Sequence, residues 1–219
     1  MRLETLAIHA GAEPDSETGA VASPLHLSTT FKHGPAGERV AGYEYQREAN
    51  PTQDRLEVCL AALEGGERAL AYASGMAAMA GLLESLPNDS HVLIPCDCYT
   101  GLRYLGAEFL NLRGIETQAI DMSDLQLVSD SLKPNTKLIW AETPSNPLLA
   151  IADIAELARI AHQHGALLAC DNTFATPVLQ QPLKLGADVV MHSTTKYFGG
   201  HSDVMGGALV FAKANAFYD

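Results

Sequence analysis

Residues 151–171 read IADIAELARIAHQHGALLACD and join two patterns in one short stretch. In Ile151–His164 the apolar residues recur with helical spacing, and Gly165 follows as the expected C-cap residue. Ala166–Asp171 is then almost wholly apolar, which is typical of a strand buried on both faces. A helix that leads into such a strand favours an α/β fold with a parallel sheet.

The same alternation of short apolar runs and helical segments begins at about Glu67. The predicted strands are Ala69–Ala73, His91–Pro95, Glu116–Ile120, Lys137–Ala141, Ala166–Asp171, Ala187–His192 and Gly207–Phe211. Two further helices are predicted over Thr52–Leu63, which Pro51 opens, and over Met76–Leu86, which Gly75 opens. The fold class predicted from these patterns is α/β, with a mostly parallel sheet covered by helices.

Residues 1–50 have a different character, because they are polar and interrupted by many glycines and prolines. We expect them to form an extended N-terminal arm that needs a neighbour to pack on. No repeat and no proline- or serine-rich linker divides the remainder. The predicted organisation is therefore an arm over residues 1–50 and one domain over residues 51–219.

Composition excludes several classes of partner. The chain has 219 residues with 14 basic and 26 acidic side chains, so its formal charge of −12 argues against nucleic acid and anionic membranes. Met1–Leu6 lacks the pattern of a signal peptide, and no apolar run is long enough to span a bilayer. We therefore expect a cytoplasmic protein whose four irregularly spaced cysteines are free thiols, with no metal site.

Lys196 is the residue with the most distinctive surroundings. It lies in the run His192–Asp203, among small hydroxyl residues, after an apolar strand and before paired glycines. Such a lysine suits a Schiff base, with hydroxyl donors nearby for a phosphate. The alternative is a solvated surface lysine that happens to follow a strand. The residues at the other strand ends bear on this choice.

Asp171 ends the apolar run Ala166–Cys170. Open α/β folds bind ligands at the carboxyl ends of their strands, so this carboxylate is predicted to lie at the ligand edge. There it could hold a proton on a pyridine nitrogen. Alternatively, it could cap the segment that follows.

A helix is predicted to open at Ser74, Gly75 and Met76, directly after the predicted strand Ala69–Ala73. Free backbone N–H groups and the helix dipole make this point a candidate phosphate site, to which the hydroxyls of Ser193 and Thr195 could add. The alternative for Gly75 is a plain turn between strand and helix.

Three further side chains have both a structural and a functional interpretation. Tyr99, which follows the strand His91–Pro95, could stack on a planar ring or pack as an ordinary loop residue. Asn146 precedes Pro147 in a turn that two prolines fix, and it could bond a phenolic oxygen or its own backbone. Arg47 in the arm could clamp a phosphate or serve a purely structural role.

Five motifs carry a resemblance along nearly the whole chain. They are Thr5–Gly11, Tyr45–Thr52, Glu142–Pro147, Asp171–Phe174 and the pair Ser193–Lys196 with Gly200–Asp203. In this order they resemble the Cys/Met-metabolism family of pyridoxal-phosphate enzymes. The resemblance implies elimination or replacement at the β or γ carbon of a sulfur amino acid. It favours a cystathionine γ-synthase or γ-lyase over a cystathionine β-lyase or methionine γ-lyase.

The resemblance also implies a role for each site residue. Lys196 would carry pyridoxal 5′-phosphate covalently and move protons, with Tyr45, Tyr99 and Asp171 completing the catalytic set. The cofactor contacts would come from Asp171 at the pyridine nitrogen, Tyr99 on the ring, Asn146 at the phenolic oxygen, Thr173 beside the ring, and Gly75, Met76, Ser193 and Thr195 at the phosphate. Tyr45 and Arg47 would reach the phosphate in a neighbouring subunit.

At the level of the whole molecule, the resemblance implies the large domain of a fold type I pyridoxal-phosphate transferase. It implies a homotetramer built from dimers that share their active sites, acting on a small amino-acid substrate. Family chains are nearly twice as long, so we expect the C-terminal small domain, with its arginine for the substrate carboxylate, to be absent here. A cofactor-binding fragment without catalytic competence, or an interaction protein, is the alternative of another class.

Overall fold

The computed structural model describes residues 2–213, which divide into two compact units between residues 63 and 64. The first unit contains the helix α1 (Leu3–His9) and most of the helix α2 (Pro51–Glu64). Pro51 takes the first helical position, as predicted. The segment between α1 and α2 is irregular, with two isolated bridges that pair Thr30 with Tyr45 and His33 with Arg39. The helix α1 was not predicted; its Leu, Glu and Ala residues favour a helix before Gly11 interrupts the pattern.

The second unit is built on a seven-stranded sheet. Its strands are β1 (Arg68–Tyr72), β2 (His91–Pro95), β3 (Glu116–Ile120), β4 (Thr136–Glu142), β5 (Leu167–Asp171), β6 (Val189–His192) and β7 (Gly207–Phe211). The order across the sheet is β1-β7-β6-β5-β4-β2-β3. Strands β2 to β6 pair in parallel, whereas β7 is antiparallel to both β6 and β1. The prediction of a mostly parallel sheet covered by helices is confirmed.

Helices connect the strands. They are α3 (Gly75–Glu84), α4 (Thr100–Tyr104), α5 (Leu125–Asp130), α6 (Ile154–His164) and α7 (Thr176–Leu179), with a π-helical turn at Leu105–Phe109 and 3₁₀ turns at Leu110–Arg113 and Pro182–Leu185. The helix predicted from Ile151 begins three residues later, because the Asp153 side chain caps it by accepting the N–H of Glu156 at 3.1 Å. Gly165 ends α6 with a φ of +79°, as the C-cap prediction requires.

Side chains alternate between the two faces of the sheet and build two apolar clusters. On β2, for example, Val92 and Ile94 belong to the cluster with α3 and α4, whereas Leu93 belongs to the cluster with α5 and α6. All five residues of this strand are buried. The uniformly apolar strands predicted from the sequence are therefore covered on both faces.

The directions of the strands determine where the loops meet. Because β1 is antiparallel to β7, and β7 is antiparallel to β6, β1 runs in the same direction as the parallel strands. The carboxyl ends of β1, β2, β4, β5 and β6 thus meet at one edge of the sheet. Open α/β sheets bind their ligands at this edge.

Candidate active site

A cleft of about 740 Å³ opens at this edge. The predicted site residues that line it are Gly75, Met76, Tyr99, Asn146, Asp171, Thr173, Ser193, Thr195 and Lys196. The structure therefore brings nine of the predicted residues together from five separate loops. The other two, Tyr45 and Arg47, lie in the first unit, where the Arg47 guanidinium carbon is 4.9 Å from the centre of the Tyr45 ring.

Asp171 is the last residue of β5 and is only 8% exposed. Its Oδ1 accepts the backbone N–H of Thr173 at 3.0 Å, so part of the predicted capping role is realised in a local turn. Burial raises the pKa of this carboxyl, and the bonds from Thr173 oppose the rise. A buried carboxyl of this kind is suited to pairing with a cationic or proton-bearing group of a ligand.

Thr173 ties the ends of β5 and β6 together. Its hydroxyl oxygen accepts the backbone N–H of Ser193 at 2.9 Å, while its own N–H bonds to Asp171. The carboxylate and the segment that precedes Lys196 are therefore held in a fixed relation.

The start of α3 approaches the Ser193 backbone very closely. A Cβ on Gly75 would lie 2.7 Å from the Ser193 Cβ, a distance that real side chains do not adopt, so this position requires glycine. Ser74 caps the helix by accepting the N–H of Ala77 at 3.1 Å. The start of this ten-residue helix thus lies directly beside the Ser193 hydroxyl, which is the arrangement of an anion site.

Lys196 lies in the exposed turn after β6. Its backbone N–H donates to the carbonyl oxygen of Ser193 at 3.1 Å, and Gly200 N–H donates to the Lys196 carbonyl at 2.7 Å. The neighbouring Thr195 hydroxyl bonds both backbone groups of Gly206, at 3.0 and 3.1 Å. Within residues 2–213 no side chain or carbonyl bonds to the Lys196 amine, which faces the shared cleft.

Tyr99 precedes α4 and is 44% exposed. A side chain at Gly101 would collide with the Tyr99 ring and with the Met76 sulfur, so these groups fill the space beside this glycine. The Tyr99 backbone N–H donates to Glu142 at 2.8 Å. The ring is therefore anchored at its base and free to present one face to a planar ligand.

Asn146 lies in a loop that follows β4 and contains two cis peptide bonds, Thr143–Pro144 and Asn146–Pro147. The loop is closed on itself, since the Ser145 hydroxyl accepts the N–H of Ala150 at 2.8 Å. Ser145 also donates to Asp97, in the loop that holds Tyr99. These bonds hold the Asn146 amide at the rim of the cleft.

Glu142 is the most informative lining residue that was not predicted. It ends β4, pairs directly with Asp171 across the sheet and is 7% exposed. Burial, and then the negative charge of Asp171, raise the pKa of Glu142 to about 8. The signal was present in the sequence, because Glu142 ends an apolar strand in the same way as Asp171. The other unpredicted lining residues are Ser74, Met79, Pro144, Phe174, Met191, Tyr197, Gly200, Ser202, Val204 and Met205.

In the part of the chain that the structure describes, no group of three or more His, Cys, Asp or Glu side chains could hold a metal ion. No helix in the same range is long and apolar enough to cross a membrane.

Comparison with known proteins agrees with the geometry of the cleft. A family described as Cys/Met metabolism PLP-dependent enzyme matches residues 4–218. The chain belongs to this family. The resemblance inferred from the five motifs is therefore confirmed, and so is pyridoxal phosphate as the family's cofactor.

Individual relatives support the assignment to the family. The chain is 48% identical to a probable cystathionine gamma-synthase of Herpetosiphon aurantiacus, over 94% of this chain and 64% of the relative. It is 47% identical to a cystathionine gamma-lyase of Bacillus subtilis, over 97% of this chain and 56% of the relative. The crystal structure of metB from Corynebacterium glutamicum superposes with a TM-score of 0.95 at 46% identity, covering 97% of this chain and 56% of that one. The chain thus spans about half to two thirds of the length of these family members.

Proposed function

We propose that this chain forms the cofactor-binding part of a pyridoxal-phosphate enzyme that acts on sulfur amino acids by elimination or replacement at the β or γ carbon. Among such reactions, we favour that of a cystathionine γ-synthase or γ-lyase. The observation that carries the proposal is the meeting of Lys196, Asp171 and the Gly75–Ser193 anion site in one cleft.

The residues of the cleft fit the cofactor group by group. The N–H groups at Gly75 and Met76, with the Ser193 hydroxyl, would hold the phosphate, because the absence of a side chain at position 75 lets the start of the helix lie directly against Ser193. Thr195 lies in the same wall, and its hydroxyl would turn from the Gly206 carbonyl, to which it donates at 3.1 Å, to add a donor to the phosphate. These contacts would set one end of the cofactor.

The other end of the cofactor would be set by the ring contacts. Asp171 would keep a proton on the pyridine nitrogen, with Thr173 orienting the carboxylate through its N–H. Tyr99 would stack on one face of the ring, and Asn146 would approach the phenolic oxygen. When bound, pyridoxal phosphate supplies a sink for the electron pair left after a proton leaves the substrate Cα.

Lys196 would have two tasks. Its amine would hold the cofactor covalently before the substrate enters, and once released it would accept the Cα proton and deliver it further along the substrate. The exposed turn on which it lies, held by the Ser193 carbonyl and by Gly200, leaves the amine without a competing partner within residues 2–213. Such an amine can move a proton without first breaking a hydrogen bond.

Assembly enters the proposal through the first unit. We infer a homotetramer built from dimers, in which Tyr45 and Arg47 reach the phosphate in the neighbouring subunit and Tyr45 assists proton transfer. Arg47 stacks on Tyr45 within its own unit, so the two side chains would act as a pair. The four cysteines are all free thiols, which is consistent with a cytoplasmic setting.

The test combines cofactor loading with product analysis. The purified protein should bind pyridoxal phosphate with a visible absorbance band and should release a keto acid from cystathionine. Lys196→Ala should abolish the band and lower turnover by about 10³-fold or more. Lys133→Ala, which removes an exposed lysine paired with Glu116 on a different part of the surface, is the matched control and should change neither.

The possible outcomes separate the alternatives. A Lys196→Ala variant that keeps both the band and the keto acid would refute the proposal. A band without keto acid release from cystathionine, and without formation of cystathionine from cysteine and an activated homoserine ester, would identify a cofactor-binding protein that lacks catalytic competence. The products formed from cystathionine, homocysteine and methionine would distinguish the γ reactions from those of a cystathionine β-lyase or a methionine γ-lyase.

A further inference from the structure

Glu142 is a buried carboxyl at the centre of the cleft for which the proposed function has no task. It lies at the end of β4, opposite Asp171 in the parallel register. Directly opposite residues of neighbouring strands point to the same face, and both carboxyls line the cleft. A second buried carboxyl beside the first is costly unless it bonds to something.

The bonds of Glu142 go to the two loops that frame the ring position. Its Oε2 accepts the backbone N–H of Tyr99 at 2.8 Å, and the backbone N–H of Asn146 acts to lower the pKa of the same carboxyl. A second bridge runs parallel to the first, because Asp97 accepts the N–H of Leu148 at 3.0 Å. The loop that carries the ring stack is thereby joined to the loop that carries the amide.

We propose that Glu142 is a positioning residue: its carboxyl, beside Asp171, holds the loop that carries the Tyr99 ring next to the loop that carries the Asn146 amide, and ionisation of this carboxyl changes that arrangement. The inference rests on the proposed function, since it assigns Tyr99, Asn146 and Asp171 to the cofactor ring. It adds a residue that acts on the cofactor only through its neighbours.

The ionisable groups that face Glu142 influence the pKa of its carboxyl. They are Asp171 on β5, Asp97 in the loop after β2, and the thiols of Cys98 and Cys170. Burial is the main reason that Glu142 keeps its proton near neutral pH, and the carboxyl of Asp171 is the second. Because ionisation would place two negative charges on neighbouring strands, the protonation of Glu142 and the arrangement of the two loops are linked.

The fluorescence of a tryptophan near Glu142 can report the charge of the Glu142 carboxyl. The sequence has a single tryptophan, Trp140, two residues before Glu142 on the same strand and hence on the same face. It is fully buried, in the cluster that also contains Met191 of the cleft wall. Its fluorescence should respond to the charge of Glu142, and it should be quenched when a cofactor that absorbs its emission binds nearby.

Two substitutions separate positioning from bulk structure. Glu142→Gln keeps an oxygen that can accept the Tyr99 N–H and resembles the protonated carboxyl. The dissociation constant of this variant for pyridoxal phosphate at pH 7 should therefore stay within about twofold of that of the unsubstituted protein. Glu142→Ala removes the acceptor and should weaken binding about tenfold. The control is Asp188→Asn, because Asp188 also accepts a backbone N–H, that of Leu168 at 2.8 Å, but outside the cleft lining.

The decisive readout is Trp140 fluorescence between pH 6 and pH 9.5, with and without pyridoxal phosphate. The unsubstituted and Asp188→Asn proteins should show a titration that Glu142→Gln lacks. An identical titration in Glu142→Gln, or unchanged cofactor affinity in Glu142→Ala, would overturn the inference while leaving the proposed function intact. If the unsubstituted protein gives neither the visible band nor quenching by pyridoxal phosphate, the proposed function itself fails.

Discussion

Behind the strand ends that face the cleft lies a buried hydrogen-bond network whose loss we expect to be costly. Glu64, the last residue of α2, is 0% exposed, and its Oε1 accepts from His192 Nε2 at 2.5 Å and from Asn172 Nδ2 at 2.7 Å. Asn172 and His192 directly follow Asp171 and Met191, so this network holds the ends of β5 and β6.

The expected magnitude follows from which partners survive the substitution. In Glu64→Ala, the Asn172 amide keeps a bond to the Gln180 carbonyl at 2.9 Å, whereas His192 Nε2 loses the acceptor that it has here. Removing the acceptor of buried hydrogen bonds leaves their donors unpaired and costs about 2–4 kcal/mol, and the bond that Asn172 retains favours the lower end of that range. Glu64→Gln preserves an acceptor oxygen at the same position but removes the negative charge, so we expect it to cost about 1–2 kcal/mol.

Urea unfolding followed by Trp140 fluorescence measures both values. Glu116→Ala is the control, since Glu116 pairs with Lys133 at 2.6 Å but both side chains are well exposed, and its loss should cost less than about 1 kcal/mol. If Glu64→Ala costs no more than Glu116→Ala, the reasoning from burial is wrong. Should the alanine variant fail to fold, the glutamine variant still decides, because a cost below about 0.5 kcal/mol would contradict the network's role.

Three further predictions concern the cleft. Gly75→Ala should destabilise the protein by about 1–3 kcal/mol and raise the dissociation constant for inorganic phosphate, because the new Cβ would lie 2.7 Å from that of Ser193; equal stability in urea would contradict this. Since the pKa of Glu142 is raised to about 8 from an ordinary 4.5, its contribution to stability is fully present below pH 4.5 and is lost as the pH rises through 8. Between pH 4.5 and pH 8 the free energy of unfolding of the cofactor-free protein, measured by urea titration, should thus fall by about 3–5 kcal/mol relative to that of Glu142→Gln. Parallel pH profiles of the two proteins would contradict this prediction. Asp171→Asn should bind pyridoxal phosphate within about tenfold but lower cystathionine turnover by about 10²-fold or more, as measured by keto acid release.

The features that the sequence predicted well are those encoded by neighbouring residues. The helix Ile154–His164 and the strand Leu167–Asp171 were predicted with starts at Ile151 and Ala166 and with the correct ends, because apolar spacing and a C-cap glycine are local signals. The helix Leu125–Asp130 was not predicted, because six residues give too few turns for a periodicity to show. The position of Asp171 at the ligand edge followed from its place at a strand end and from the rule for parallel sheets.

The features that the sequence did not predict depend on pairing between distant segments. Glu64 and His192 are 128 residues apart, and nothing near either of them marks the other as its partner. Glu142 gave a local signal, but its bond to Tyr99 spans 43 residues and depends on β2 and β4 being neighbours in the sheet. Strand order is a property of the whole sheet, so contacts between loops of neighbouring strands cannot be deduced from one loop at a time. The predicted roles of Tyr45 and Arg47 depend on a second subunit and remain predictions.

The alternation of side chains at the ends of β5 and β6 links stability to chemistry in this protein. Asp171 and Met191 are register partners and line the cleft, whereas the next residue of each segment, Asn172 and His192, bonds to Glu64. A slip of one residue in either segment would turn the residues that now line the cleft toward Glu64 and those that now bond to Glu64 toward the cleft. For β5, the Asp171 carboxylate would then leave the cleft and lie near the Glu64 carboxylate, which offers it no hydrogen-bond donor. The same register therefore satisfies the buried network and aims the site carboxylate. We infer that substitutions which weaken the network will also loosen the position of Asp171. Glu64→Gln should therefore reduce the affinity for pyridoxal phosphate, although Glu64 does not line the cleft.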